Sequence, residues 1–523
     1  MSAVVISLLF VCVPTVANGN ENPILTRYLK FQETYEKRVE SIAKWCEEND
    51  MPTQAQKTRD LLRGTFSGDK IYVAELPKEI LDDTPPARAS AKSSKSTKKK
   101  KSSSKKESAS DSEKDASSFD GVANLEEEWE AKIKDLKDEA AGYLFTLAKR
   151  AVKMGYAGFG FDLLMRALQE NPDHLAARKI LGYKKFKNQW LTDFEISQYK
   201  AGKVYHERFG WLPKGQVKRY ENGERFFNGK WISAEEDAQY HANIENGWIV
   251  ETPNYIIVTN HSIEAGVKIG NELEKLHRVW KQLFMRYCFT ELQVNLLFEG
   301  KGSAAIPGQK HKVCYFKTRQ NYIECLQAQN PNIASSAGMY SPRYRTAYFF
   351  ADEQFDIRTM YHEATHQLFD ETRKTDPKAG VDSNFWIIEG IAVFMESLKD
   401  TDGFHTVGGY DDQRMIIARY RYNLQQYYIP LEQMSKMKIK AFQNHPEVSK
   451  LYSQSAALVH FMVYYDNGKY RDALVAVLFD VYTGKSNDQT IPKYLGKSYS
   501  ELDKEFGMFI SQKTEELKNW RIE

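Results

Sequence analysis

The residues best placed to do chemistry are His362-Glu363-Ala364-Thr365-His366, two imidazoles four positions apart with a carboxylate directly after the first. A chain of this composition would hold such a pattern by accident at a rate of roughly one or two in a hundred. Around it Ile357, Met360, Tyr361, Ala364 and Leu368 recur at helical spacing. That stripe predicts a helix with both histidines on one adjoining face, one turn apart. Imidazoles at i and i+4 can bind one tetrahedral zinc, with Glu363 projecting toward a water on the metal. The bland alternative is a surface helix carrying two neutral histidines.

Downstream lies Phe385-Trp386-Ile387-Ile388-Glu389-Gly390-Ile391-Ala392-Val393-Phe394-Met395-Glu396. A helix apolar almost all round must be buried, and a lone carboxylate inside it is costly unless a cation or donors compensate it. Glu389 is therefore the natural third ligand, with a salt-bridged core glutamate as the competing reading. Glu396, two turns further along the same face, could orient a ligand histidine or pair with a lysine. Gly390 and Ala392 are small where two helices must approach closely.

HEATHQLF followed by FWIIEGIAVFME resembles the gluzincin zinc metallopeptidases, in particular the peptidase MA-like families and, more distantly, the aminopeptidase N family with its HExxHQ and WxxEGxAxxxE elements. Secreted bacterial proteins of unassigned function carry the same combination. The resemblance implies a C-terminal, thermolysin-like domain with a mixed sheet, covering roughly 248–513. It implies one Zn2+ per chain on His362, His366 and Glu389, Glu363 as general base, and a peptide or protein substrate. In the aminopeptidases a tyrosine opening a later helix stabilises the oxyanion, and Tyr452 in Leu451-Tyr452-Ser453-Gln454-Ser455 holds that place. Tyr464 and Tyr465, deeper in the same helix, read as packing residues, and His460 as structural. The GxMEN element that recognises a free substrate amine has no counterpart in Ala337-Gly338-Met339-Tyr340-Ser341, so exopeptidase activity is not supported. The rival reading is a secreted binding or scaffold protein with a structural metal site. Glu363 argues against it, because a structural site gains nothing from a carboxylate beside the metal's open position.

These residues need a frame. Strands are expected over Trp248–Thr259, Leu292–Phe298 and Gly338–Phe350, and an amphipathic helix over Ile263–Phe284, giving an α+β domain over 248–523. Gly338–Phe350 is expected as an edge that could take an extended substrate by strand addition. Ahead of it, 184–247 forms a β-rich module, because Phe186-Lys187-Asn188-Gln189-Trp190-Leu191-Thr192 echoes Phe227-Asn228-Gly229-Lys230-Trp231-Ile232-Ser233, with a shorter third copy at Gly210-Trp211-Leu212-Pro213. Exposed tryptophans there could bind carbohydrate, although core packing is the commoner role. Residues 119–183 read as helical, with one tetratricopeptide-like hairpin around Asn171-Pro172-Asp173, and 20–83 as a small helical segment. The fold class is thus multidomain α+β.

Composition sets the outer limits. The 523 residues carry 73 basic and 70 acidic side chains. The stretch 84–118 alone holds ten Lys/Arg and four Asp/Glu, and taking these away leaves 63 basic against 66 acidic. The remainder lacks the clustered positive charge of a nucleic-acid-binding body. That stretch has no apolar periodicity and reads as a disordered Lys/Ser-rich linker that could also associate loosely with an anionic surface. Only Ala3–Val13 is continuously apolar, about half of what crosses a bilayer, so 1–19 reads as a signal peptide and the protein as secreted, periplasmic or extracellular, with no transmembrane segment. Of the four remaining cysteines, Cys314 and Cys325 are the likeliest pair.

Overall fold

The computed structural model describes residues 22–62, 70–81, 116–306, 308–352, 355–401 and 403–512, with only the backbone for 116–123. The expected signal peptide lies outside this range, as does the expected linker except its last three residues. Those three open the helix Ala116–Lys153.

The chain is mixed α+β, mostly helical with several small sheets. The largest sheet has five strands in the order β11-β12-β10-β9-β8: β8 (Trp248–Glu251), β9 (Tyr255–Thr259), β10 (His311–Phe316), β11 (Met339–Ser341) and β12 (Thr346–Phe350). The inner strands β9, β10 and β12 run parallel, and β8 and β11 are antiparallel edges. The helix Ile263–Leu283 follows β9, capped by the Ser262 hydroxyl, and lies close on the sheet. Two glycines permit this: a Cβ on Gly266 would stand 2.9 Å from Val250 Cγ2, and one on Gly270 2.9 Å from Thr252 Cγ2.

Three expectations change. Leu292–Phe298 is helical (Glu291–Phe298) and not a strand, because Thr290 and Gln293 form a reciprocal capping box that starts a helix there. Trp248–Thr259 is a hairpin of two strands, turned at Thr252–Asn254. Gly338–Phe350 is likewise a hairpin, turned through Arg345 at φ 49°. Its second arm, β12, is buried along its whole length, so the sheet's free edge on this side is β11 alone.

The segment 20–83 is not only helical. Its β1 (Lys70–Ala74) pairs antiparallel with β14 (Phe404–Gly408), which pairs with β13 (Lys399–Thr401). One continuous apolar cluster runs from Ile24 and Tyr28 through the five-stranded sheet to Ile510. A buried ion pair, Arg471 to Asp162 at 2.6 Å, also ties the helix Ala157–Glu170 to the helix Arg471–Tyr482. Between them stand three small hairpins: β2 (Lys184–Phe186) with β3 (Gln189–Leu191), β4 (Lys203–His206) with β5 (Gly210–Pro213), and β6 (Glu224–Phe227) with β7 (Lys230–Ser233). Each carries its repeat tryptophan in the second strand. Trp190 is fully buried and donates to Asp173, Trp211 packs edge-on against Tyr199 and Tyr205, and Trp231 lies under the Arg219 guanidinium. These contacts are packing. Cys46, Cys288, Cys314 and Cys325 are all free thiols, so the expected Cys314–Cys325 bond is absent. No helix of the described residues is long and apolar enough to cross a membrane.

Candidate metal centre

The helix Ile357–Thr372 begins at Asp356, whose side chain accepts from the Arg358 amide, and buries Met360, Tyr361, Ala364 and Leu368. With that stripe inward, His362 and His366 face a second helix, Phe385–Met395, every residue of which is buried. Glu389 projects from it into the gap. The three side chains offer ligand atoms that all lie within 4.8 Å of one another. His362 Nε2 and His366 Nε2 are 3.2 Å apart, and Glu389 Oε2 is 3.5 Å from the first and 3.8 Å from the second. Ligand atoms about 2.0–2.1 Å from a tetrahedral ion stand about 3.3 Å from each other. The observed triangle fits a single ion.

The surroundings favour the same arrangement. Glu396 Oε1 is 2.9 Å from His362 Nδ1, so that nitrogen carries a proton and Nε2 is the ring nitrogen turned to the gap. The other Glu396 oxygen accepts from Arg414 Nε at 3.1 Å, which makes arginine, not lysine, its cationic partner. Burial pulls the His362 imidazole down, but hydrogen bonds to Glu389 and Glu396 and the charge of Glu363 override it and push the group up to about 10. His366 stays below its ordinary value, because burial outweighs the charge of Glu389. Burial should raise Glu389, yet the His362 hydrogen bond and the charge of His366 hold it low and ionised. Positive charge is thus favoured where a cation would sit.

Glu363 is the residue of the motif that does not join the triangle. Its Oε2 accepts from the Tyr340 amide at 2.8 Å, which fastens the carboxylate to the free edge of β11. Tyr340 is fixed in turn, its hydroxyl donating to Asp370 Oδ2 at 2.6 Å. Asp370 neighbours Glu371, which bonds His311 at 2.8 Å and Gln367 at 3.1 Å.

The helix Val448–Gly468 completes the site. A Cβ on Gly390 would stand 2.8 Å from the Ser455 carbonyl oxygen, so Gly390 serves the approach of this helix. Tyr452 is brought to the centre beside Glu389; burial and the charges of Glu389 and Glu363 raise its pKa. Tyr464 points away, donating to the Val407 carbonyl at 2.6 Å, and Tyr465 sits where the helix breaks into left-handed Asp466 and Asn467. His460 is buried with Nδ1 on the Ala456 carbonyl. All six candidate site residues, His362, Glu363, His366, Glu389, Glu396 and Tyr452, therefore meet around one point. Sequence reasoning did not find the Tyr340 amide or Arg414. A backbone donor has no residue signature, and Arg414 reaches Glu396 from the separate helix Gln413–Asn423.

A family model described as a protein of unknown function (DUF1570) matches residues 356–484. The matched span opens at the cap of the histidine helix and contains all six of these residues. A comparison with curated proteins gave no match.

Proposed function

We propose that this chain is a secreted zinc-dependent peptidase whose C-terminal region has the gluzincin arrangement. The observation that carries the reading is the triangle of His362, His366 and Glu389 with a second, separately held carboxylate, Glu363, beside it. Two imidazoles and one carboxylate suit zinc, and three protein ligands leave a position for water or substrate. When bound, zinc would act as a Lewis acid that lowers the pKa of a water and polarises the substrate carbonyl.

The chain's own residues do the rest. Glu363, anchored by the Tyr340 amide, takes the proton from the attacking water and returns it to the leaving amine, so one carboxylate acts as base and then as acid. The Tyr452 hydroxyl, in the neighbourhood of Glu389 and Glu363, donates to the negative charge developing on the carbonyl oxygen. Glu396, itself held by Arg414, fixes the orientation of the His362 ring. The rest of β11's free edge offers main-chain groups to an extended peptide.

The test is cleavage of a peptide library by the full chain, with and without chelator, alongside Glu363→Gln. Chelator-sensitive cleavage that this variant lacks supports the proposal. Cleavage that survives both treatments, or none by the zinc-loaded wild type, overturns it.

A further inference from the structure

A cavity of about 1640 Å³ lies between the helix Ile263–Leu283, the helix Ala157–Glu170 and the first hairpins, and none of the metal-centre residues lines it. It exceeds the roughly 300–1,000 Å³ of sites for drug-sized ligands. Phe161, Met165, Ile180, Trp190, Val267 and Phe298 give it an extensive apolar lining.

Its polar groups are unequally satisfied. The carboxylates on its walls are committed to neighbours: Glu274 accepts from the Thr252 hydroxyl and from the Asn254 amide and side chain, Glu195 pairs with Lys78, and Asp193 with Lys184. One turn of the helix Ile263–Leu283 presents His277, Arg278, Lys281 and Gln282 to the same space. Among the described residues neither Arg278 nor Lys281 has a carboxylate partner; the Lys281 ammonium donates only to the Ala304 carbonyl. Among the described residues His277, 7% exposed, has no hydrogen-bond partner, and Gln282, 5% exposed, leaves its Nε2 unpaired. Desolvation holds the Lys281 amine down to about 8. A cation and unpaired donors kept from water are costly unless an acceptor completes them.

We propose that this cavity binds an amphiphilic anion, a lipid-sized apolar body whose acidic head is met by Lys281 and Arg278, with His277 and Gln282 as neutral donors. The apolar walls take the chain of such a ligand, and its head supplies the anionic acceptor that Lys281 and Arg278 do not have among the described residues. The inference is independent of any peptidase activity.

The experiment is calorimetric titration of the full chain with dodecanoate, dodecyl phosphate and uncharged dodecanol, all below micelle-forming concentrations. The two anions separate a carboxylate head from a phosphate head. At least one should bind about tenfold or more tighter than dodecanol, and Lys281→Met and Arg278→Met should each weaken it about tenfold while leaving dodecanol unchanged, the scale of one charge-assisted hydrogen bond. Lys281→Arg should retain binding, and thermal melts establish that each variant is folded. Dodecanol binding as tightly as both anions, no binding of either anion, or full anion affinity in folded Lys281→Met and Arg278→Met variants would each overturn the proposal.

Discussion

The metal centre and the cavity wall of the helix Ile263–Leu283 both hold charged groups away from water, with opposite signs of imbalance. At the centre Glu363, Glu389 and Glu396 converge on two imidazoles and the Arg414 guanidinium, and every carboxylate has a partner that fixes its direction. On the cavity wall the carboxylates are taken up by other groups, and among the described residues neither Arg278 nor Lys281 pairs with one. The first is a rigid set of acceptors around a gap of ion size; the second is a set of donors around a space of lipid size. In each, the unbalanced charge gives the sign of the missing partner, and the volume gives its scale.

The contrast is sharpest where a single atom changes. Glu363→Gln keeps the shape but removes the base, so turnover should fall by about 10²–10⁴ while the metal content of the purified protein stays that of the wild type. If that variant loses metal as readily as Glu389→Gln, the two carboxylates do not have separate roles. Tyr452→Phe should lower kcat by about a hundredfold or more, as for the loss of one oxyanion donor, with metal retained. Tyr464→Phe is the control, because that hydroxyl serves the Val407 carbonyl. Loss of metal from Tyr452→Phe would mean that its work is to hold Glu389.

Smaller effects follow away from the reacting atoms. Glu396→Gln should weaken metal binding by about 10–100-fold in a competition titration, because His362 loses its orienting acceptor. Unchanged affinity would leave Glu396 as nothing more than the partner of Arg414. At the cavity the sign reverses: Lys281→Met should raise the stability of the ligand-free protein by about 1 kcal/mol in chemical denaturation, since it replaces a desolvated cation with an apolar chain. A loss of stability would show that its bond to the Ala304 carbonyl outweighs that cost.

How much of this was legible in the sequence depended on whether the signal was local. His362, Glu363 and His366 stand in five consecutive residues within an apolar stripe, and Glu389 and Glu396 interrupt an otherwise apolar helix, so their facing follows from helical geometry. The repeat tryptophans marked three hairpins because turn chemistry is local too. Leu292–Phe298 misled because a short apolar run fits strand and helix equally well, and the deciding signal was a capping box whose first member, Thr290, lies just outside it. The pairing of β1 with β14 joins segments more than 300 residues apart, through no pattern that either strand carries alone. The Tyr340 amide and the cavity were hidden for a related reason: one is a backbone group, and the other has walls drawn from helices and hairpins spread along the chain.

The central claim is that His362, His366 and Glu389 hold one metal ion. Elemental analysis of the full chain, folded with zinc and freed of excess by gel filtration, tests it most directly. The account predicts about one zinc per wild-type chain and markedly less in Glu389→Gln. A wild-type protein that folds and carries no transition metal, or a Glu389→Gln variant that keeps the full complement, would contradict it.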